Sequence, residues 1–189
     1  TLTSTQYPIT ARSNQTEERV MEFNVLFKTI HGSRLYGLAH KDSDWDWYTV
    51  VDRVPKKKAS FATHTIVDGV DSVVVDFGTW VNLCQKGVPQ ALEAMFSQKA
   101  EVDKIAEFRS DFRAGTNYEG FLGAISAMKH DDFKRRRHML RLGMAMRSIR
   151  HTGRFNPTLT PVEVELISEL AEKLSMENCY NDALAIAWS

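Results

Sequence analysis

Between Gly32 and Val51 the chain reads GSRLYGLAHKDSDWDWYTVV, and no single helix or strand accommodates that run. Two glycines and an Asp-Ser break regular structure in its first half. The second half alternates acidic with aromatic residues and then turns β-branched, which is a strand pattern. The chain must therefore loop here and leave as a strand. Residues two apart on a strand share a face, so Asp44 and Asp46 are expected to project together, with Trp45 and Trp47 turned the other way against a core. Two carboxylates so close repel each other unless a cation lies between them. Their hard oxygens suit magnesium, or manganese. Taken alone, the pair also fits a solvated edge strand blunted by charge. The preceding loop weighs against that reading. Gly32 lets backbone approach a ligand closely, Ser33 adds a hydroxyl, and the amides that follow can form an anion-binding concavity. A phosphate there, beside a metal held by Asp44 and Asp46, is what phosphoryl or nucleotidyl transfer requires.

The rest of the chain predicts an α+β organisation. Residues 1–18 are polar and expected as a loose arm. VMEFNVLFKTI (20–30) reads as a helix turn or, preferred, a strand ending at Ile30, and DSVVVDF (71–77) as a second short strand. DRVPKKKAS (52–60) reads as a charged loop. GTWVNLCQKG predicts a helix stopped at Gly87, and PQALEAMF another with Pro89 in its first turn. NYEGFLGAISAMKH (117–130) and DDFKRRRHMLRLGMAMRSIRHTG (131–153) predict two long helices. The second has Asp131 or Asp132 as cap and Gly153 as stop. Thr160 caps a further amphipathic helix beginning at Pro161. At 189 residues, the expected division is a small α/β part with its arm up to about residue 100, then a helical part over 101–189.

Formal charge is +0, but it is unevenly spread. The segment from Lys129 to Arg154 is strongly basic, and the tail beyond Pro161 is acidic, so a basic surface is expected within a neutral total. The 2 cysteines, Cys84 and Cys179, are far apart in sequence and have no zinc-ribbon spacing. No run approaches the ~18 apolar residues of a membrane span, and the start lacks the pattern of a secretory signal. No membrane partner and a cytoplasmic setting are expected.

GSRLYGLAHKDSDWDW resembles the signature of the DNA polymerase beta-type nucleotidyltransferase superfamily: Gly-Ser, a spacer of about ten residues, then Asp-x-Asp with hydrophobic flanks. Its longer form is similar to the branch of predicted nucleotidyltransferases linked to RNA repair in bacteria and phages. The likeness continues through DSVVVDFGTWVNLCQKGVPQALEAMF and, more faintly, HMLRLGMAMRSIRHTG, covering residues 22–154. Val88 departs from the Asn common before the Pro, and Trp47 from a smaller residue. The resemblance implies a small mixed-sheet, polymerase beta-like core followed by helices. It implies a nucleoside triphosphate held at Gly32 and Ser33, divalent metal at Asp44 and Asp46, and a third carboxylate from the neighbouring strand. Asp71 and Asp76 compete for that last role. Asp71 is preferred, because an N-cap already explains Asp76.

Other candidates carry two readings each. Arg34 is either a forked phosphate contact or an ion pair with Asp42 or Asp44. Ser43 either meets phosphate or turns the chain into the strand. Glu93 matches the family's Leu-Glu, although a lone Glu at helix spacing is usually exposed. His138 and Arg141 share a helix face and either contact the nucleotide or an RNA phosphate or form an ion-paired helix face. With Lys134, Arg135 and Arg137 they form a candidate RNA-binding track. The expected reaction is metal-dependent transfer of a nucleoside monophosphate to a hydroxyl acceptor, with RNA, such as a tRNA end or a break under repair, the leading acceptor. The alternatives are a protein acceptor, as in toxin–antitoxin nucleotidyltransferases, and a non-catalytic RNA- or nucleotide-binding module. Oligomeric state is left open.

Overall fold

Residues 7–9, 21–53, 62–67, 70–128 and 131–189 are described by the computed structural model. Two short strands come first, β1 (Tyr7–Ile9) and β2 (Met21–Phe23), paired antiparallel. The segment expected as a loose arm thus contributes a strand. Its remaining residues, 1–6 and 10–18, lie outside the described residues, as do 54–60 of the charged loop and Lys129 of the basic segment.

The α/β part follows as β3 (Val25–His31), α1 (Gly32–Tyr36), β4 (Asp46–Val51), β5 (Ala62–Val67), β6 (Val70–Asp76), α2 (Phe77–Gln85), α3 (Pro89–Phe96) and β7 (Ala100–Asp103). The helical part comprises α4 (Ala106–Asp111), α5 (Glu119–Ser126), α6 (Phe133–Thr152), α7 (Pro161–Lys173) and α8 (Met176–Trp188). The five-stranded sheet has the order β5-β6-β4-β3-β7. Only β4 and β6 run parallel; the other pairs are antiparallel. This mixed sheet followed by helices is the expected α+β class. The expected boundary near residue 100 falls on β7, the strand that completes the sheet beside β3.

Strand alternation decides which residues reach the core. Phe27 of β3, Tyr48 and Val50 of β4, and Val73 and Val75 of β6 join the main core, packed with Trp80, Phe96, Leu140, Met146 and Ala183 from the helices. The other sheet face carries a small cluster of Val25, Val51 and Val74. Met139 and Met146 fill the core, as expected for such flexible side chains.

The helix caps follow the sequence. Asp76 opens α2, its Oδ1 accepting from the Thr79 amide at 2.9 Å. Asp132 caps α6, and Gly153 ends it at φ 70°. Thr160 and Glu163 form a reciprocal capping box on α7. α8, capped by Ser175, was not anticipated; only Leu174 and Ser175 separate it from α7. Gly143 of α6 makes room for the backbone of α8: a Cβ there would strike the Ala183 carbonyl. α5 is shorter than expected, closing at Ala127.

Candidate active site

Pairing register builds the centre of the site. His31 at the end of β3 pairs with Asp46 at the start of β4, and Asp46 pairs with Asp71 on β6. Three polar residues from separate strands therefore form one rung across the sheet. The same alternation that sends Tyr48, Val50, Val73 and Val75 into the core puts Asp46 and Asp71 on that face, at its rim. Asp76 pairs with Val51 at the opposite end of the strands and serves α2 as N-cap. Of the two competing carboxylates, Asp71 is the one beside Asp46.

Gly32 directly follows this rung, with φ +66°. A Cβ there would collide with Oδ2 of Asp46, so the glycine is required by the site's own carboxylate as well as by the left-handed backbone. The Gly32 amide donates to Nδ1 of His31, the cap of α1. That amide is therefore already engaged, which leaves any anion cradle to the amides that follow Ser33.

Electrostatics tie the group together. Burial, above all, pushes the Asp46 carboxyl above its ordinary 3.8; His31 opposes this, Asp71 and Asp44 add to it, and Lys134 opposes it. Asp44 is exposed and precedes β4, which begins at Asp46 rather than at Asp44. Lys134, exposed on the first turn of α6, is the member of the basic run whose charge reaches this centre.

Behind the rung lies a buried polar network that the sequence reading missed. Glu93 is 2% exposed, correcting the expectation of a solvated glutamate. It accepts from the Tyr36 hydroxyl at 2.6 Å and from Nη1 of Arg141 at 2.7 Å, and its Oε2 lies 3.4 Å from Nε2 of His31. Arg141 lies 3.5 Å above the Tyr36 ring and its Nη2 meets Nδ1 of His138 at 2.8 Å. Burial pushes Glu93 up, but Arg141, His31 and Tyr36 outweigh it and hold the carboxyl below its ordinary 4.5. Burial depresses His31, and burial followed by Arg141 brings His138 down to about 4. Arg141 is 2% exposed. Of the two readings of Arg141 and His138, the contact with nucleotide or RNA phosphate is corrected and the ion-paired face is the one present: their hydrogen-bonding groups turn inward to Glu93 and to each other. His31 carried one usable sequence signal, its place as the last strand residue before Gly-Ser.

The remaining candidates are placed as follows. Arg34 makes neither expected ion pair. Its Nη2 donates to the Ser43 carbonyl at 2.5 Å and its Nε to the Asp44 carbonyl at 3.1 Å, fastening the loop that delivers Asp44. Oγ of Ser43 accepts from the His40 amide at 2.9 Å, which is the turn reading. Arg135 and Arg136 pair with Asp132 and Asp131, and Arg137 packs over the Phe133 ring at 4.6 Å. The expectation for the tryptophans is overturned. Trp45 is 47% exposed and stacks on Trp47, ring centroids 6.0 Å apart, on the sheet face away from the main core.

Among the described residues, no group of three or more His, Cys, Asp or Glu side chains converges as a ready-made metal cage. The donor set still fits magnesium, which is usually held by one or two carboxylates together with water and substrate phosphates. The crowding of Asp44 and Asp71 on Asp46 is the imbalance that a divalent cation would relieve.

No curated protein matches the chain. A family model matches residues 9–186, from the first strand through the last helix, and on that near-complete coverage the chain belongs to the RNA repair pathway DNA polymerase beta family, RlaP.

Proposed function

We propose that this protein transfers a nucleoside monophosphate from a nucleoside triphosphate to a hydroxyl of RNA, at a tRNA end or at a break under repair. The observation that supports this reading is the single rung of His31, Asp46 and Asp71 against the Gly32 turn. Asp46 and Asp44 would hold magnesium, whose role when bound is to neutralise charge on the phosphates. Asp71 accepts a hydrogen bond from the attacking hydroxyl and takes its proton as the new phosphodiester forms and pyrophosphate leaves. Ser33 binds the triphosphate. Arg34 adds positive charge to the loop while bracing Asp44. Lys134 contributes a phosphate contact at the rim. Catalysis comes mainly from positioning and from preorganised charge. A cytoplasmic setting suits the two buried free thiols, Cys84 and Cys179. No helix among the described residues is long and apolar enough to cross a membrane.

The test is purified protein with magnesium, labelled nucleoside triphosphates and an RNA acceptor. Label is expected on the RNA and is expected to be lost in Asp46→Ala. Absence of label with the parent, or equal labelling by the variant, overturns the reading.

A further inference from the structure

The transfer reading gives Asp46 and Asp71 a task but none to His31, which stands in the same rung and is 8% exposed. Its ring is held from two sides. Tyr48 stacks on it, centroids 6.0 Å apart and planes at 24°, and Tyr36 meets it edge-on at 6.1 Å and 73°. The two ring nitrogens face different groups. Nδ1 accepts from the Gly32 amide and so caps α1. Nε2 is buried and makes no hydrogen bond among the described residues; the carboxylate facing it is Glu93, whose Oε2 lies 3.4 Å away.

These contacts select one tautomer. A neutral imidazole carries its proton on one nitrogen and accepts at the other. The nitrogen that accepts from Gly32 is unprotonated, so Nε2 bears the proton and presents it to a carboxylate, which only accepts. Glu93 is itself fixed, by the Tyr36 hydroxyl at 2.6 Å and by Nη1 of Arg141 at 2.7 Å. A chain of contacts thus runs from α6 through α3 and the end of β3 to the Gly32 amide. At its far end Gly32 closes on the Asp46 carboxylate so tightly that not even a Cβ fits between them. A shift of the Gly32 amide would free that carboxylate to turn, and a misplacement of about 1 Å at a reacting centre costs about a hundredfold in rate.

We propose that His31 is a positioning residue: its Nδ1, kept unprotonated by the Glu93 carboxylate behind Nε2, holds the Gly32 amide and so seats the turn against Asp46. The inference rests on the transfer reading above and gives a task in it to a residue buried behind the substrate.

The test has two arms. The first is nitrogen NMR at neutral pH on the parent alone, with isotope-labelled histidine and the His31 ring assigned through the backbone signals of His31 and Gly32. An unprotonated Nδ1 and a protonated Nε2 are expected. The second is RNA labelling by His31→Asn and His31→Gln. Asn places its side-chain oxygen where Nδ1 stands and keeps an acceptor for Gly32. Gln places its amide nitrogen near Nε2, keeping a donor to Glu93 but losing the acceptor. Both lose the stacked ring, so their melting temperatures are expected to fall alike, and the difference between them reads the Gly32 contact. In His31→Gln, kcat is expected to fall about ten- to a hundredfold; His31→Asn is expected to keep most of it. KM for RNA should be unchanged in both, since neither alters the protein surface. A protonated Nδ1 in the parent overturns the positioning role and leaves the transfer reading standing. So does a kcat in His31→Gln equal to or above that of His31→Asn. A parent that labels no RNA overturns the transfer reading, and the positioning role with it.

Discussion

At the scale of single residues, two aspartates at opposite ends of one strand have different surroundings. Asp71 lies beside Asp46, whereas Asp76 holds the first turn of α2. Asp71→Asn is expected to cut nucleotide transfer about a hundredfold or more while leaving the melting temperature nearly unchanged. Asp76→Ala should do the reverse, keeping transfer and losing about 1 kcal/mol of stability, as a lost N-cap does. Paired activity and urea-unfolding measurements on the two variants decide this. Gly32→Ala should lose both: the left-handed backbone costs about 1–3 kcal/mol, and the new methyl displaces the Asp46 carboxylate. A Gly32→Ala protein with parental stability and transfer would refute the tight contact. Much at this scale was legible. Gly32 and Asp46 came from residue type and spacing, while the preference for Asp71 came from the family resemblance and the N-cap reading of Asp76. His31 and Glu93 did not, because a histidine or a glutamate gives no local sign of which distant side chains will enclose it.

At the scale of elements, α6 is the piece that joins the helical part to the site. Arg141 reaches Glu93 on α3, and both contact Tyr36 on α1, so three helices meet in one buried charge network. Glu93→Ala leaves Arg141 buried without its carboxylate and is expected to cost about 3–5 kcal/mol, read from the shift in urea midpoint. The histidines make stability depend on pH. His138 has its pKa lowered to about 4 from an ordinary 6.5. Between those values the unfolded chain binds a proton that the native imidazole does not, so stability falls as pH falls. Glu93, held below 4.5, extends the loss on further acidification. Urea midpoints are expected to decline from pH 6.5 towards 4, and more shallowly in His138→Gln. An unchanged slope in the variant would remove His138 from the account. The start of α6 was readable from Asp132, its end from Gly153, and the capping of α7 from Thr160. Its inward face was not readable: KRRR followed by His and Arg looks like a solvated run, and only packing reveals that Arg141 turns in while Arg135 turns to Asp132.

At the scale of the whole molecule, one core joins the sheet to the later helices, running from Phe27 to Ala187. Gly143 is a point of close approach between α6 and α8, so Gly143→Ala should wedge them apart at a cost of about 1–3 kcal/mol. A urea titration checks this; a neutral result would mean that α8 can shift without loss. Sequence by itself determined the class of fold, the glycine turn, the carboxylate strand and most helix boundaries. These depend on periodicity, caps and backbone sterics within a few residues of each other. Only tertiary structure decided that His31, Asp46 and Asp71 share a rung, that Glu93 and Arg141 are buried together, and that Trp45 remains in solvent. Register between strands and the choice of which face meets a helix are set by residues far apart in the chain. A period of two places Trp45 opposite Asp46 but cannot tell which side of the sheet the helices will cover.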